Sequence, residues 1–148
     1  LTADSKAPSG DFWVEAWDQF LGVFGVTAPD SSQHLIKRVI GVPGDHIVAD
    51  GSGPITINGV KIDESVYLPK SVDSSVKEFD VTVPADSYWV MGDNRENSED
   101  SRYHTDLPSK GFVPKSVIVG QAFVITWPKE RWTWLDSHSD VFKNVPNK

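Results

Sequence analysis

The sequence predicts a mainly β domain with one amphipathic helix near its start. Two patterns carry that reading. From His34 onward, short β-branched runs alternate with Pro-Gly and Asn-Gly turns. Upstream of them, aromatic residues recur at helical spacing in one segment only. A length of 148 residues suits a single domain, one that buries about 68–70% of its unfolded surface. With 39% hydrophobic residues and 6 Trp, the chain is too apolar and aromatic for a disordered tail.

Residues 1–10 are small, polar and Pro-containing, and read as a loose lead-in. Asp11 can cap the helix marked by Trp13, Trp17, Phe20 and Phe24, with Glu15, Asp18 and Gln19 in its polar positions. Thr27-Ala28-Pro29-Asp30 ends it. Packing on a core and contact with a membrane surface or substrate both fit this helix. Its lack of basic residues favours packing. Residues 34–40 read as a strand that stops at Gly41-Val42-Pro43-Gly44-Asp45, where Pro43-Gly44 fits the centre of a type II turn. Ile47-Val48 resumes the sheet. Ile55-Thr56-Ile57 and Val60-Lys61-Ile62 flank Asn58-Gly59, a strong hairpin signal. Further strands are expected over 79–83, 88–91 and 117–126, with Pro84-Ala85-Asp86 as a turn.

Composition excludes several function classes. The absence of cysteine removes disulfide scaffolds, thiol nucleophiles and thiolate metal sites. With 14 Lys+Arg against 21 Asp+Glu, the net charge of −7 argues against a nucleic-acid partner. No run reaches the ~18 apolar residues of a membrane span, and none has the form of a signal peptide.

Two places stand out. Gly92-Asp93-Asn94-Arg95-Glu96-Asn97-Ser98-Glu99-Asp100-Ser101-Arg102 holds no apolar side chain, and alone would read as a solvated loop. As a calcium loop it fails: Arg95 takes the third position, Ser98 the turn glycine's and His104 the final glutamate's. His34, His46, His104 and His138 lack the paired spacing of a zinc site. The other place is Lys37-Arg38 within an otherwise apolar strand. Alternation puts Leu35, Lys37 and Val39 on one face, and Ile36, Arg38 and Ile40 on the other. Adjacent cations in a buried strand are costly unless partnered. Asp93 or Asp100 could pair with Arg38, whereas Lys37 can escape by losing its proton, and a neutral lysine is a general base. Snorkelling at a sheet edge is the ordinary alternative for Lys37.

Lys37-Arg38-Val39-Ile40-Gly41-Val42-Pro43-Gly44-Asp45 and Gly92-Asp93-Asn94-Arg95, with Ser98 and Asp100-Ser101-Arg102, resemble two signature boxes of bacterial type I signal peptidases (leader peptidases). The boxes stand in the right order with all their fixed positions, and the resemblance runs over about 35–127. It implies an antiparallel β catalytic core with a smaller β-rich insertion at about 50–86. It also implies a membrane-associated serine endopeptidase that removes signal peptides from exported preproteins by a Ser/Lys dyad, through an acyl-enzyme. Carried over by motif, Lys37 becomes the general base and Ser98 orients its amine. Arg38 and Asp93 would form a supporting ion pair, Asp100 and Arg102 another, and Gly92 would permit close approach to the lysine. The resemblance implies neither cofactor nor metal. Its partners would be signal peptides, the bilayer surface and the secretion machinery, with the catalytic domain on the extracytoplasmic face of the cytoplasmic membrane.

The match breaks at the nucleophile. The family places its serine upstream of the lysine strand, in a Ser-Met-x-Pro-Thr box followed by a Gly-Asp-x-Val-x-Phe strand. Ser5-Lys6-Ala7-Pro8-Ser9-Gly10-Asp11 has Ser-x-x-Pro but no methionine, and Gly10-Asp11 opens the aromatic helix. The expectation is therefore a partial catalytic domain over 1–148 whose anchor and serine lie in sequence upstream, inactive alone. Trp127, Trp132, Trp134 and Leu135, with Lys129 and Arg131, fit either a bilayer contact or ordinary packing. The alternative function is a non-catalytic relative that binds secreted or pilus proteins, although such a binder would need neither Lys37 nor Ser98.

Overall fold

A computed structural model describes residues 35–146. The helix expected to follow Asp11, and the stretch around Ser5, lie outside the described residues. Nine short strands follow: β1 (Arg38–Gly41), β2 (His46–Ala49), β3 (Thr56–Ile57), β4 (Val60–Lys61), β5 (Phe79–Thr82), β6 (Ser87–Met91), β7 (Val113–Pro114), β8 (Val124–Ile125) and β9 (Thr133–Trp134). Every pairing is antiparallel. The sheets run β1-β6-β7, β4-β3-β2-β5 and β8-β9. The fold is mainly β, as the sequence predicts, and no helix among the described residues is long and apolar enough to cross a membrane.

Turn chemistry sets the strand ends. Asn58 and Gly59 have φ of 51° and 81°, the two positive values that a type I′ turn requires, so β3 and β4 close as the expected hairpin. The Asn58 side chain then ties that turn to β2: its Oδ1 accepts from His46 N at 2.9 Å, and its Nδ2 donates to Asp45 Oδ1 at 2.8 Å. At Pro43-Gly44 the turn closes through Asp45 N, which donates to Val42 O at 3.0 Å. The strands expected around residues 50–86 are β3, β4 and β5, which share one sheet with β2.

One apolar cluster draws on both larger sheets: Ile40, Ile47, Ile55, Ile57, Phe79, Trp89 and Met91 are buried in it. Trp89 lies between Phe79 and Phe112, with ring centroids 5.1 and 5.4 Å away. Val141, Phe142 and Val145 from the C-terminal segment cover part of this cluster. β1 therefore has one face toward the core through Ile40, while Val39 is exposed.

The expected strand over 117–126 forms only in part. Lys115–Val117 make a single 3-10 turn after Pro114, and only Val124–Ile125 pair, with Thr133–Trp134. Between them Val119 is 78% exposed. β propensity alone does not make a strand; a run needs a neighbour to take its backbone hydrogen bonds, and Gly120 weakens this one further. Among the described residues no strand lies beside 118–123. The pairings of β7 with β6 and of β9 with β8 were not expected from the sequence, because each is a two-residue strand too short for any period to show.

Candidate active site

The β1–β6 register brings the two unusual stretches together. Arg38 lies opposite Met91 and Val39 opposite Val90, so the chain entering β1 at Lys37 meets the chain leaving β6 at Gly92. Lys37 Nζ donates to Ser98 Oγ at 2.7 Å. Gly92 is what allows this approach: a Cβ there would overlap Oγ and Cβ of Ser98 and stand 3.6 Å from Lys37 Nζ.

The polar run after Gly92 is only partly solvated: Asp93, Asn94, Glu96, Asn97 and Glu99 are exposed, and the other five residues are not. Arg95, Ser98, Asp100, Ser101 and Arg102 are all buried. Each buried charge has its partner, which is the condition for keeping it there. Arg102 donates Nε and Nη2 to the two oxygens of Asp100, both at 2.8 Å, and Nη2 also reaches Arg95 O at 2.9 Å. Asp100 accepts in addition from Gly92 N at 2.9 Å and caps the 3-10 turn Ser101–Tyr103. Ser101 Oγ accepts from Val90 N at 2.9 Å, which fastens the end of the run back to β6. A loop that reads as hydrophilic is thus folded inward on its own charges.

Arg38 pairs with the residue that follows Gly92. It donates Nε and Nη2 to Asp93 at 2.8 Å each, and Nη1 to Ser137 O at 3.0 Å. Of the two carboxylates considered for Arg38, the partner is Asp93. The Tyr67 ring lies beneath its guanidinium, 3.9 Å from Cζ to the ring centroid.

The environment acts on the lysine in opposing ways. Burial holds Lys37 below the ordinary lysine range, and the field of Arg102 pushes the same way, whereas Asp100 and Glu99 pull it back up. For Asp100, burial pushes upward but is outweighed by the Arg102 hydrogen bonds, the Gly92 N–H and the Arg102 charge, so its carboxyl sits below the usual carboxylate range. Asp100 is therefore ionised and largely neutralised by Arg102. An amine in that position can lose its proton more easily than one in water and can accept a proton from a hydroxyl brought to it. Among the described residues, no group of three or more His, Asp or Glu side chains is arranged to hold a metal ion.

Sequence reasoning missed Glu64 and Tyr67. Glu64 is buried and takes both Nη atoms of Arg95, at 2.6 and 3.0 Å, while Tyr67 Oη donates to Glu64 Oε1 at 2.7 Å. Carboxylates closer in sequence, Asp93 and Glu96 among them, gave no reason to look 31 residues away for the partner of Arg95.

Comparison with known proteins identifies the family. A family model described as signal peptidase, peptidase S26, matches residues 9–127. The chain is 38% identical over 133 residues to signal peptidase I of Mycobacterium tuberculosis (strain H37Rv), covering 81% of this chain and 44% of that protein. It is 37% identical over 132 residues to a probable signal peptidase I of Mycobacterium leprae, covering 76% of this chain and 45% of that protein. A solved signal peptidase I from Enterococcus faecalis V583 is similar with a TM-score of 0.47 at 31% identity, over 62% of this chain and 85% of that chain. This chain thus spans less than half the length of the two mycobacterial relatives.

The buried pair yields a stability prediction. Asp100→Asn leaves the Arg102 charge buried without its counter-ion and should cost about 3–5 kcal/mol in urea unfolding at neutral pH. A change under about 0.5 kcal/mol, the range of ordinary surface substitutions, would show that the pair is not structural.

Proposed function

The chain belongs to the signal peptidase, peptidase S26, family, and from that premise we propose that it supplies the general base of an endopeptidase that removes signal peptides from exported preproteins. The observation that carries the proposal is the 2.7 Å contact of Lys37 Nζ with Ser98 Oγ, in a setting that lowers the lysine's proton affinity. Neutral Lys37 takes the proton of a serine hydroxyl as its oxygen attacks the scissile carbonyl. The resulting ammonium returns that proton to the leaving amine, which departs and leaves an acyl-enzyme. Lys37 then activates the water that hydrolyses the ester. Ser98, by accepting one N–H, turns the amine's lone pair toward the reacting hydroxyl.

Ser98 is assigned this orienting role and not the nucleophile's. It is only 7% exposed, and its Oγ is packed against Gly92 so closely that a single methyl-sized group does not fit between them. That side of the hydroxyl has no room for an acyl group. The Ser-Met box typical of the family does not occur in the chain: its single methionine is Met91, preceded by Val90. We therefore assign the nucleophile to a serine outside residues 1–148, on a chain that also carries a membrane anchor and presents this domain extracytoplasmically.

The exposed aromatic residues favour a bilayer contact. Trp127, Trp132, Trp134 and Phe123 are all largely exposed, and Phe123 stacks on Trp134 with centroids 6.1 Å apart. Large amphipathic rings held outside any core, beside Lys129 and Arg131, suit the interface of an anionic bilayer.

Activity should follow the charge on Lys37. Because only the neutral amine works as base, kcat/KM of the full-length enzyme on a signal-peptide substrate should rise with pH up to the Lys37 value, which lies below 10.5. Lys37→Met should lose about 10²–10⁴-fold in kcat/KM while retaining the fold. The 148-residue chain alone should show no turnover; turnover abolished by Ser5→Ala would place the nucleophile within it. A pH-independent rate, or an active Lys37→Met enzyme, would remove Lys37 from the mechanism. For the bilayer contact, the 148-residue chain should co-sediment with anionic liposomes, and Trp132→Ala with Trp134→Ala should weaken this; equal sedimentation of both proteins would refute it.

A further inference from the structure

Two guanidinium groups hold the backbone on which Ser98 rests. Arg95 donates Nε to Gly92 O at 3.0 Å and both Nη atoms to Glu64. Arg38 grips the next residue, Asp93, through both carboxylate oxygens. Tyr67 touches both clamps. Its ring supports Arg38, and its hydroxyl donates to Glu64 Oε1, the oxygen that also receives Arg95 Nη2. Glu64 and Tyr67 share one turn, closed by Tyr67 N and Leu68 N, which donate to Glu64 O at 3.1 and 2.9 Å, and buried Leu68 anchors it.

We propose that Tyr67 is a positioning residue for Lys37: it locks the Arg38–Asp93 and Glu64–Arg95 pairs to each other, and through them fixes Gly92 and Ser98 against the amine. The proposal rests on the reading of Lys37 as general base. Ser98 Oγ occupies the space a Cβ on residue 92 would take, so a displacement of Gly92 moves the hydroxyl that orients Nζ. The charges that act on Lys37 are Asp100, Glu99 and Arg102, with Arg38 next to it in the chain. Tyr67 is not among them. Its hydroxyl stays protonated, because burial and the Glu64 carboxylate push it well above the ordinary phenol range. Any effect of Tyr67 on the titration of Lys37 is therefore geometric.

The test compares the full-length wild type with Tyr67→Leu, Tyr67→Met, Tyr67→Phe and Lys37→Met, assayed for kcat and KM against pH on a signal-peptide substrate. Leu and Met both remove the ring, so one stands in if the other does not fold. Either should lower kcat by about tenfold to a hundredfold with KM little changed, the scale of a misplaced catalytic group. The rise of activity should also move to higher pH, since a loosened Ser98 wall admits water to the amine. Tyr67→Phe keeps the ring under Arg38 but loses the hydroxyl bond to Glu64, so it should change in the same direction by less, with a loss of about threefold in kcat and a smaller shift of the pH profile. A wild-type pH profile in the folded ringless variants, with Lys37→Met inactive, would reduce Tyr67 to packing and refute the proposal alone. An active Lys37→Met enzyme would refute the general-base reading together with it.

Discussion

Asp100 and Arg102 form a carboxylate–guanidinium pair out of reach of water, and the geometry around Lys37 depends on it. The pair is local, two residues apart, but Asp100 spends another acceptor on Gly92 N and Arg102 another donor on Arg95 O. Those two bonds fold residues 92–102 back onto the end of β6. Once the run is folded that way, Ser98 has one place to be, against Gly92, and Lys37 meets it because β1 is registered on β6. A buried charge without its partner is among the costliest defects a fold can carry, so the pair tolerates few alternative loop conformations.

The same pair sets the electrostatics. A lone Asp100 near Lys37 would stabilise the ammonium and oppose deprotonation. With Arg102 opposing it, the pull of Asp100 stays smaller than the effect of burial on the amine, and burial favours the uncharged form. Structural ion pairing and chemical reactivity are thus one arrangement. The charges that hold the loop are matched among themselves, and Lys37 hydrogen-bonds to a hydroxyl instead of pairing with a carboxylate.

How much of this could be read from the sequence follows the range of the interactions. Asn58-Gly59 and Pro43-Gly44 announce their turns because turn geometry is decided by the residues in the turn. Lys37, Ser98, Gly92, Asp93 and Asp100 could be singled out as a group because they resemble two boxes of a known family, although neither box alone predicts the β1–β6 register that joins them. The Glu64–Arg95 pair spans 31 residues with nothing local to mark it, and Tyr67 gains meaning only from the two clamps it touches. The run 117–126 shows the opposite failure. Its β-branched residues suit a strand, but a strand also needs a neighbour, which no local pattern encodes. The polar run is a third case, since a series of charged residues looks solvated on its own, and only the family resemblance pointed to the Asp100–Arg102 pairing.

The central claim is that this fold holds Lys37 at a lowered proton affinity against Ser98. Nuclear magnetic resonance of lysine side-chain carbons and nitrogens in the full-length protein, with the Lys37 signal identified by its loss in Lys37→Met, measures this without reference to turnover. The account predicts an inflection for Lys37 clearly below the ordinary value of 10.5, set apart from the exposed lysines. An inflection at or above 10.5 would mean that the amine stays charged in its site, and would contradict the account at its foundation.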